Sequence, residues 1–213
     1  AGGETARSAT TGSTITEAIM TAPITTFGSD LSVQDSSFLL KRANAAWGDS
    51  QSVALAKIEK WLSGRIPKEG RPVILHNDFK LDNIILEPTN LQPKALIDWD
   101  LGTRGDAMWD FAVLLSYWAQ EDDPFAMLSL QQMPTLEPGF PKRDELIAQY
   151  AERTKTKTLD ILPYKVLAQF RLAVVFQQIF LRYEQSEDRI TQDRQFDKLA
   201  LGLLDFTLSN LVE

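Results

Sequence analysis

The chain has no cysteine and a single histidine, His76, among its 213 residues. These absences exclude a disulfide framework, a thiolate zinc site and the multi-histidine cages of many metallohydrolases, so any metal bound here is a hard, oxygen-ligated one. Positive charge is also in deficit. With 22 Lys and Arg against 29 Asp and Glu, the formal net charge is -7, which offers no electrostatic footprint for a nucleic-acid backbone or an anionic membrane surface. Neither nucleic acid nor membrane is an expected partner. Long apolar runs are missing too: the most apolar stretch, Val166 to Leu181, is broken by Gln169, Arg171, Gln177 and Gln178, and no basic segment leading into an apolar one opens the chain. The expectation is a soluble, cytoplasmic protein.

What is present is enough apolar sequence, 44% of residues, to bury a real core in one or two domains. Residues 1–28 are rich in Ala, Gly, Ser and Thr and have little to bury, so they read as a linker or remnant of low order, with residues 29–213 carrying the fold. Apolar spacing predicts helices over about 31–47 and 50–63, ended by Gly64 and Pro67. Short strands follow at Val73 to Leu75, Ile84 to Leu86 and Ala95 to Ile97. Beyond Asp106 the pattern is helical, over about 107–120, 142–153, 162–184 and 191–211, with a loop carrying Pro124, Pro134, Pro138 and Pro141 between the first two. The fold class expected is α+β, mostly helical: a two-stranded hairpin against about six helices.

The polar run His76-Asn77-Asp78-Phe79-Lys80-Leu81-Asp82-Asn83 follows the first strand directly. If the next two strands pair about a turn between Asn90 and Leu91, Ile84 faces Ile97 and Asn83 faces Asp98. Directly opposed side chains on one face lie about 4.5–5.5 Å apart at Cβ. An amide oxygen and a carboxylate so placed can share one Mg2+, which accepts a few protein oxygens and leaves the rest of its shell to water and phosphate. Asp78, five residues before Asn83, is then positioned to accept a proton from a hydroxyl beside a metal-bound phosphate.

The arrangement His76-x-Asp78-x-x-x-x-Asn83 followed by Ile97-Asp98 resembles the catalytic-loop and metal-loop pair of kinases. His76-Asn77-Asp78 and Ile97-Asp98-Trp99 look like the aminoglycoside phosphotransferase and choline kinase group rather than protein kinases. Leu81-Asp82-Asn83, Glu87-Pro88-Thr89, Asp98-Trp99-Asp100-Leu101, Thr103-Arg104-Gly105-Asp106, Asp110, Leu114-Leu115-Ser116-Tyr117-Trp118, Met133-Pro134-Thr135, Pro138-Gly139-Phe140-Pro141 and the segment Leu172 to Ile179 are similar to kinase-like domains related to those fused to some acyl-CoA dehydrogenases. The resemblance spans about residues 31–211. It implies a protein-kinase-like C-terminal lobe that transfers the γ-phosphoryl group of ATP to a hydroxyl of a small molecule, aminoglycoside-, choline- or hydroxyacyl-like. It implies Asp78 as catalytic base or orienting group, and Asn83 and Asp98 as ligands of Mg2+ and hence of its nucleotide. It implies structural support from His76, and from Asp110 by accepting backbone N–H bonds. Asn77 departs from the glycine that close relatives most often carry, and asparagine tolerates positive φ.

Several residues also have plainer readings. His76 is assigned a bracing role; Asp82 and Asp100 read equally as supports behind the site residues or as caps and solvated polars, Lys80 as a solvated lysine with contact to a phosphate as its alternative, and Trp99, Trp109 and Trp118 as core. The run Glu121-Asp122-Asp123 reads as a solvated loop, with reception of a cationic substrate as its alternative. A haloacid-dehalogenase-type reading of Asp98-Trp99-Asp100 fails, because the four residues between Asp100 and Gly105-Asp106 cannot hold the βα units that fold requires. No G-x-G-x-x-G loop on a strand and no V-A-I-K-type lysine precede His76. The nucleotide-covering N-terminal lobe is therefore expected to belong to a parent protein, and the 213 residues alone to be inactive or to form a non-catalytic binding or regulatory module. The face left by that lobe is expected to be apolar and to pair with a second copy or with residues 1–28.

Overall fold

The structure is a computed structural model that describes residues 36–65, 72–155, 160–184 and 193–211; the segment 1–28 lies outside the described residues. Leu39, Leu40, Ala43 and Trp47 recur at helical spacing and form the buried stripe of α1 (Ser36–Trp47); Leu55, Ile58, Trp61 and Leu62 do the same for α2 (Ser52–Leu62). A 3-10 turn, Gly48–Gln51, joins them. Gly64 follows α2 at φ 75°, a left-handed value that glycine adopts without strain.

Strand β1 (Val73–Leu75) leads into the polar run, which closes in a 3-10 turn, Leu81–Asn83, before β2 (Ile84–Leu86). After β3 (Pro93–Leu96) and a 3-10 turn, Trp99–Leu101, a fourth strand appears, β4 (Thr103–Gly105). It pairs antiparallel with β1, Val73 opposite Gly105 and Leu75 opposite Thr103. Nothing local announces β4: Thr-Arg-Gly has no alternation, and its extended form rests on a partner 30 residues away.

The β2–β3 hairpin differs from the expected register by one residue. Ile84 faces Leu96 and Ile85 faces Ala95, and then a bulge sets Leu86 opposite Pro93. The cause lies in the connection, where Glu87 N–H donates to Gln92 O at 2.8 Å, Leu91 N–H donates to Glu87 O at 2.8 Å, and Leu91 takes φ 57°. Pro93 has no N–H to give the ladder, so the strand starts at a bulge with Lys94 as its extra residue. A one-residue slip exchanges faces. Asn83 consequently lies opposite Ile97, whose N–H it accepts at 2.9 Å, and the placement of Asn83 opposite Asp98 is overturned.

Helix α3 (Ala107–Tyr117) begins at Asp106, whose side chain accepts the Met108 N–H at 2.9 Å. Its residues are buried almost all round, which marks a central helix. A short α4 (Phe125–Leu128) interrupts the proline-rich loop, and α5 (Arg143–Thr154) follows, with Glu145 accepting the Lys142 N–H at 3.1 Å. The long α6 (Leu162–Glu184) packs against α1, α3 and α7 (Asp193–Ser209). The protein is thus a mostly helical α+β fold with a short hairpin. Among the described residues no helix is long and apolar enough to cross a membrane.

Two loop expectations are corrected. Asp123 is buried rather than solvated, because Arg143 grips its carboxylate with two guanidinium nitrogens and donates to Trp118 O at 2.7 Å. Only Glu121 and Asp122 of that run remain exposed. Trp99 is 43% exposed, whereas Trp109 and Trp118 are core: the register ends β3 before Trp99, whose indole N–H turns back to Leu96 O at 2.9 Å.

Candidate functional site

The first two residues after β1 are anchored to α3. The Asp110 carboxylate accepts the backbone N–H of His76 at 2.6 Å and of Asn77 at 2.8 Å, one on each oxygen. Burial pushes the Asp110 carboxyl up, and the two backbone bonds, followed by the charge of Arg171, pull it back without cancelling the effect. His76 is itself buried. Its Nε2 donates to Ile97 O at 2.7 Å and its Nδ1 accepts the Asp78 N–H at 3.3 Å, the pattern of a neutral imidazole protonated on Nε2. The same ring lies 4.8 Å from that of Trp99.

Asn77 takes φ 65°, as a glycine-like position requires, and its side chain adds what glycine lacks. Nδ2 donates to Leu101 O at 2.6 Å and Oδ1 accepts the Trp109 indole N–H at 2.7 Å. The turn after β1, the loop after β3 and α3 are therefore tied through one buried amide.

Asp78 presents its carboxylate to three donors. Oδ1 accepts from the Tyr117 hydroxyl at 3.0 Å; Oδ2 pairs with Lys80 Nζ at 3.1 Å and lies 3.4 Å from Asn83 Nδ2. Lys80 is not the solvated lysine expected. Its side chain is 17% exposed and its ammonium sits 5.3 Å from the centre of the Tyr117 ring. Burial above all, and then the charge of Asp78, push the Tyr117 hydroxyl up to about 12 against the opposing charge of Arg171 on α6.

Asn83 is 5% exposed, and its Nδ2 donates to Asp78 O at 2.7 Å. A carbonyl only accepts, so this bond fixes the amide orientation and leaves Asn83 Oδ1 with no protein partner among the described residues. Asp98, exposed and at φ 64°, also has no hydrogen bond or ion pair there. No group of three or more His, Asp or Glu suited to a metal occurs among the described residues. Asp82 and Asp100 lie exposed in the adjacent 3-10 turns.

Sequence reasoning missed Tyr117, Lys80 and Arg171 as members of this cluster. A signal existed for the first: on a helix whose other residues are apolar save Ser116, Asp110 and Tyr117 are seven residues apart and therefore share one face.

A family model described as the phosphotransferase enzyme family matches residues 29–146. The chain is 28% identical over 154 residues to acyl-CoA dehydrogenase family member 10 of Mus musculus, covering 71% of this chain and 14% of that protein. It is 27% identical over 172 residues to acyl-CoA dehydrogenase family member 11 of Gallus gallus, covering 78% and 22%, and 30% identical over 159 residues to member 11 of Mus musculus, covering 69% and 20%. The chain thus spans between 14% and 22% of the length of these relatives. The crystal structure of a candidate aminoglycoside phosphotransferase from Ralstonia eutropha shares the fold, with a TM-score of 0.69 and 22% identity over 95% of this chain and 66% of that one. With more than half of its residues matched by the family model, the chain belongs to the phosphotransferase enzyme family.

Proposed function

We propose that the protein containing this chain transfers the γ-phosphoryl group of ATP to a hydroxyl of a small molecule, with Asp78 as the residue that orients that hydroxyl and takes its proton. The hydroxyl oxygen bonds to the γ-phosphorus, the bond from phosphorus to the bridging oxygen breaks, and ADP leaves with that electron pair. The observation that carries this reading is the engagement of Asp78: its backbone N–H and C=O are both bonded within the loop, and its carboxylate is held among Tyr117, Lys80 and Asn83. A carboxylate so held among donors is aimed, as a proton acceptor must be.

Asn83 Oδ1 and the Asp98 carboxylate fit a Mg2+ ion, since both are hard oxygen donors without another protein partner among the described residues. When bound, that ion supplies charge compensation to the nucleotide phosphates. The protein's own contribution is orientation: Asp78 O holds the Asn83 amide so that its oxygen, rather than its nitrogen, is offered.

The test is Asp78→Asn in the full-length protein, where kcat falls by about 10²–10⁴-fold with little change in the apparent affinity for ATP. Turnover equal to wild type removes Asp78 from the reaction.

A further inference from the structure

The side-chain torsions of Asp78 are not fixed by the bonds that hold its backbone. Its N–H is held by His76 Nδ1 and its carbonyl by Asn83 Nδ2, so the backbone on both sides is set. The rotation of the carboxylate is not set by those bonds. On the Oδ2 side the partners are exchangeable: Lys80 approaches on a flexible four-carbon stem, and Asn83 Nδ2 is 3.4 Å away with its stronger bond already made elsewhere. On the Oδ1 side stands a phenol from the last turn of α3, in a helix whose neighbouring residues Val113, Leu114, Leu115 and Ser116 are all buried.

We infer that Tyr117 is a positioning residue that fixes the rotation of the Asp78 carboxylate and thereby determines that Oδ2 is the oxygen offered to the acceptor hydroxyl. The inference rests on the phosphotransferase reading for the meaning of that offer, and on geometry alone for the rotation itself.

The side chain fits this role better than it fits a packing role. A phenylalanine would fill the same space at the end of α3; the hydroxyl adds a donor, which goes to Asp78, 39 residues away in sequence, at 3.0 Å, and an acceptor, which meets the Arg171 side chain. The Tyr117 ring serves Lys80 as well, whose ammonium lies 5.3 Å from its centre. One side chain thus locates both charges, the anion by its hydroxyl and the cation by its ring face. Tyr117 also keeps its proton throughout the neutral range, because burial and the adjacent carboxylate both oppose ionisation, so it acts only as a donor towards Asp78.

Two substitutions separate the functions. Tyr117→Phe keeps the ring and removes the hydroxyl, whereas Tyr117→Leu removes both. The experiment is a crystal structure of full-length Tyr117→Phe, together with steady-state release of ADP from Mg-ATP, water standing in for the acceptor hydroxyl. The expected structure shows the Asp78 carboxylate rotated about its Cβ–Cγ bond with Lys80 still over the ring. The expected kinetics are a kcat lowered by about tenfold to a hundredfold with KM for ATP unchanged within about twofold, the pattern of a lost orienting bond. Tyr117→Leu is expected to displace Lys80 in addition. A carboxylate that keeps its wild-type rotation in Tyr117→Phe overturns the inference, as does an unchanged kcat where the wild type turns over. If the wild type releases no ADP to water, the crystal structure alone decides the role of Tyr117, and the phosphotransferase reading is judged by the Asp78→Asn variant with an acceptor alcohol.

Discussion

The indole N–H of Trp109 donates to the side-chain oxygen of Asn77 at 2.7 Å, across 32 residues of sequence. Through the other end of the same amide, Asn77 reaches Leu101 O at 2.6 Å, so the shape of the loop after β1 depends on a helix and on a second loop. Glycine would suit the backbone at φ 65° but would leave a buried indole donor without its acceptor. Asn77→Gly is expected to lower the unfolding free energy by about 1–3 kcal/mol, and Trp109→Phe on that background to recover part of it. Urea denaturation of the two variants measures both; an Asn77→Gly protein as stable as wild type would show the bridge to be dispensable.

Asp110→Asn tests the anchor of the same loop. An amide offers one oxygen where the carboxylate offers two, so either the His76 or the Asn77 N–H then faces an NH2 group. A loss of about 2–4 kcal/mol is expected, from one broken bond to a charged acceptor and one buried donor left unpaired. Thermal denaturation reads it, and a change below a few tenths of a degree contradicts the anchoring role.

The phenol of Tyr117 gives stability a pH dependence of defined sign. Its folded value, about 12, lies above the ordinary 10.0, so the folded state favours the neutral phenol. The associated stability is fully present below pH 10 and is lost as pH rises from about 10 to about 12, a difference on the order of 2 kcal/mol. Other buried tyrosines contribute in the same direction, so the wild type is compared with Tyr117→Phe, in which the decline should be shallower. Parallel curves for the two proteins would remove Tyr117 as its source.

Gly202 on α7 lies against α4. A Cβ built there would stand 2.7 Å from the Ala126 Cβ, closer than two carbons approach, and both positions are fixed to backbone. Replacing a mid-helix glycine by alanine ordinarily stabilises by about 0.5–1 kcal/mol. Here the overlap reverses the sign, with an expected cost of about 1–3 kcal/mol. Ala126→Gly introduced beside Gly202→Ala should return most of the loss, and no return in that double variant means the two helices do not meet as described.

Two ion pairs outside the site, one buried and one exposed, should behave oppositely. Arg143 and Asp123 are both buried, so Arg143→Ala leaves an uncompensated carboxylate and should cost about 3–5 kcal/mol. Lys94 and Glu87 pair on the surface of the hairpin, and Lys94→Ala should cost less than about 1 kcal/mol. Equilibrium denaturation of both variants decides between burial and mere proximity as the source of the effect.

Most helices were legible because their burial is periodic: α1, α2, α5, α6 and α7 begin and end within a few residues of the apolar stripes that define them. The bond from Asp110 to the loop after β1 follows the resemblance. What was not legible depends on partners distant in sequence. β4 exists because β1 lies beside it, and the hairpin register turned on Pro93, whose missing N–H forces a bulge that a symmetric turn does not anticipate. Lys80 reads as a solvated cation until Tyr117, two turns beyond Asp110 on α3, supplies a ring beneath it. Asp123 reads as one of three like charges until Arg143 reaches it across the proline-rich loop.

Ile97 shows how chemistry and side-chain identity can separate within one residue. Its N–H is held by Asn83 O and its carbonyl by His76 Nε2, so its peptide joins the two loops that carry Asp78 and Asp98, while its side chain is 42% exposed. A library of all substitutions at this position would therefore score it as permissive for size and polarity and closed to proline alone. Its amide hydrogen should exchange with deuterium as slowly as those of the buried ladder. An observer who ranked positions by tolerance to replacement would pass over the peptide that joins the two halves of the site.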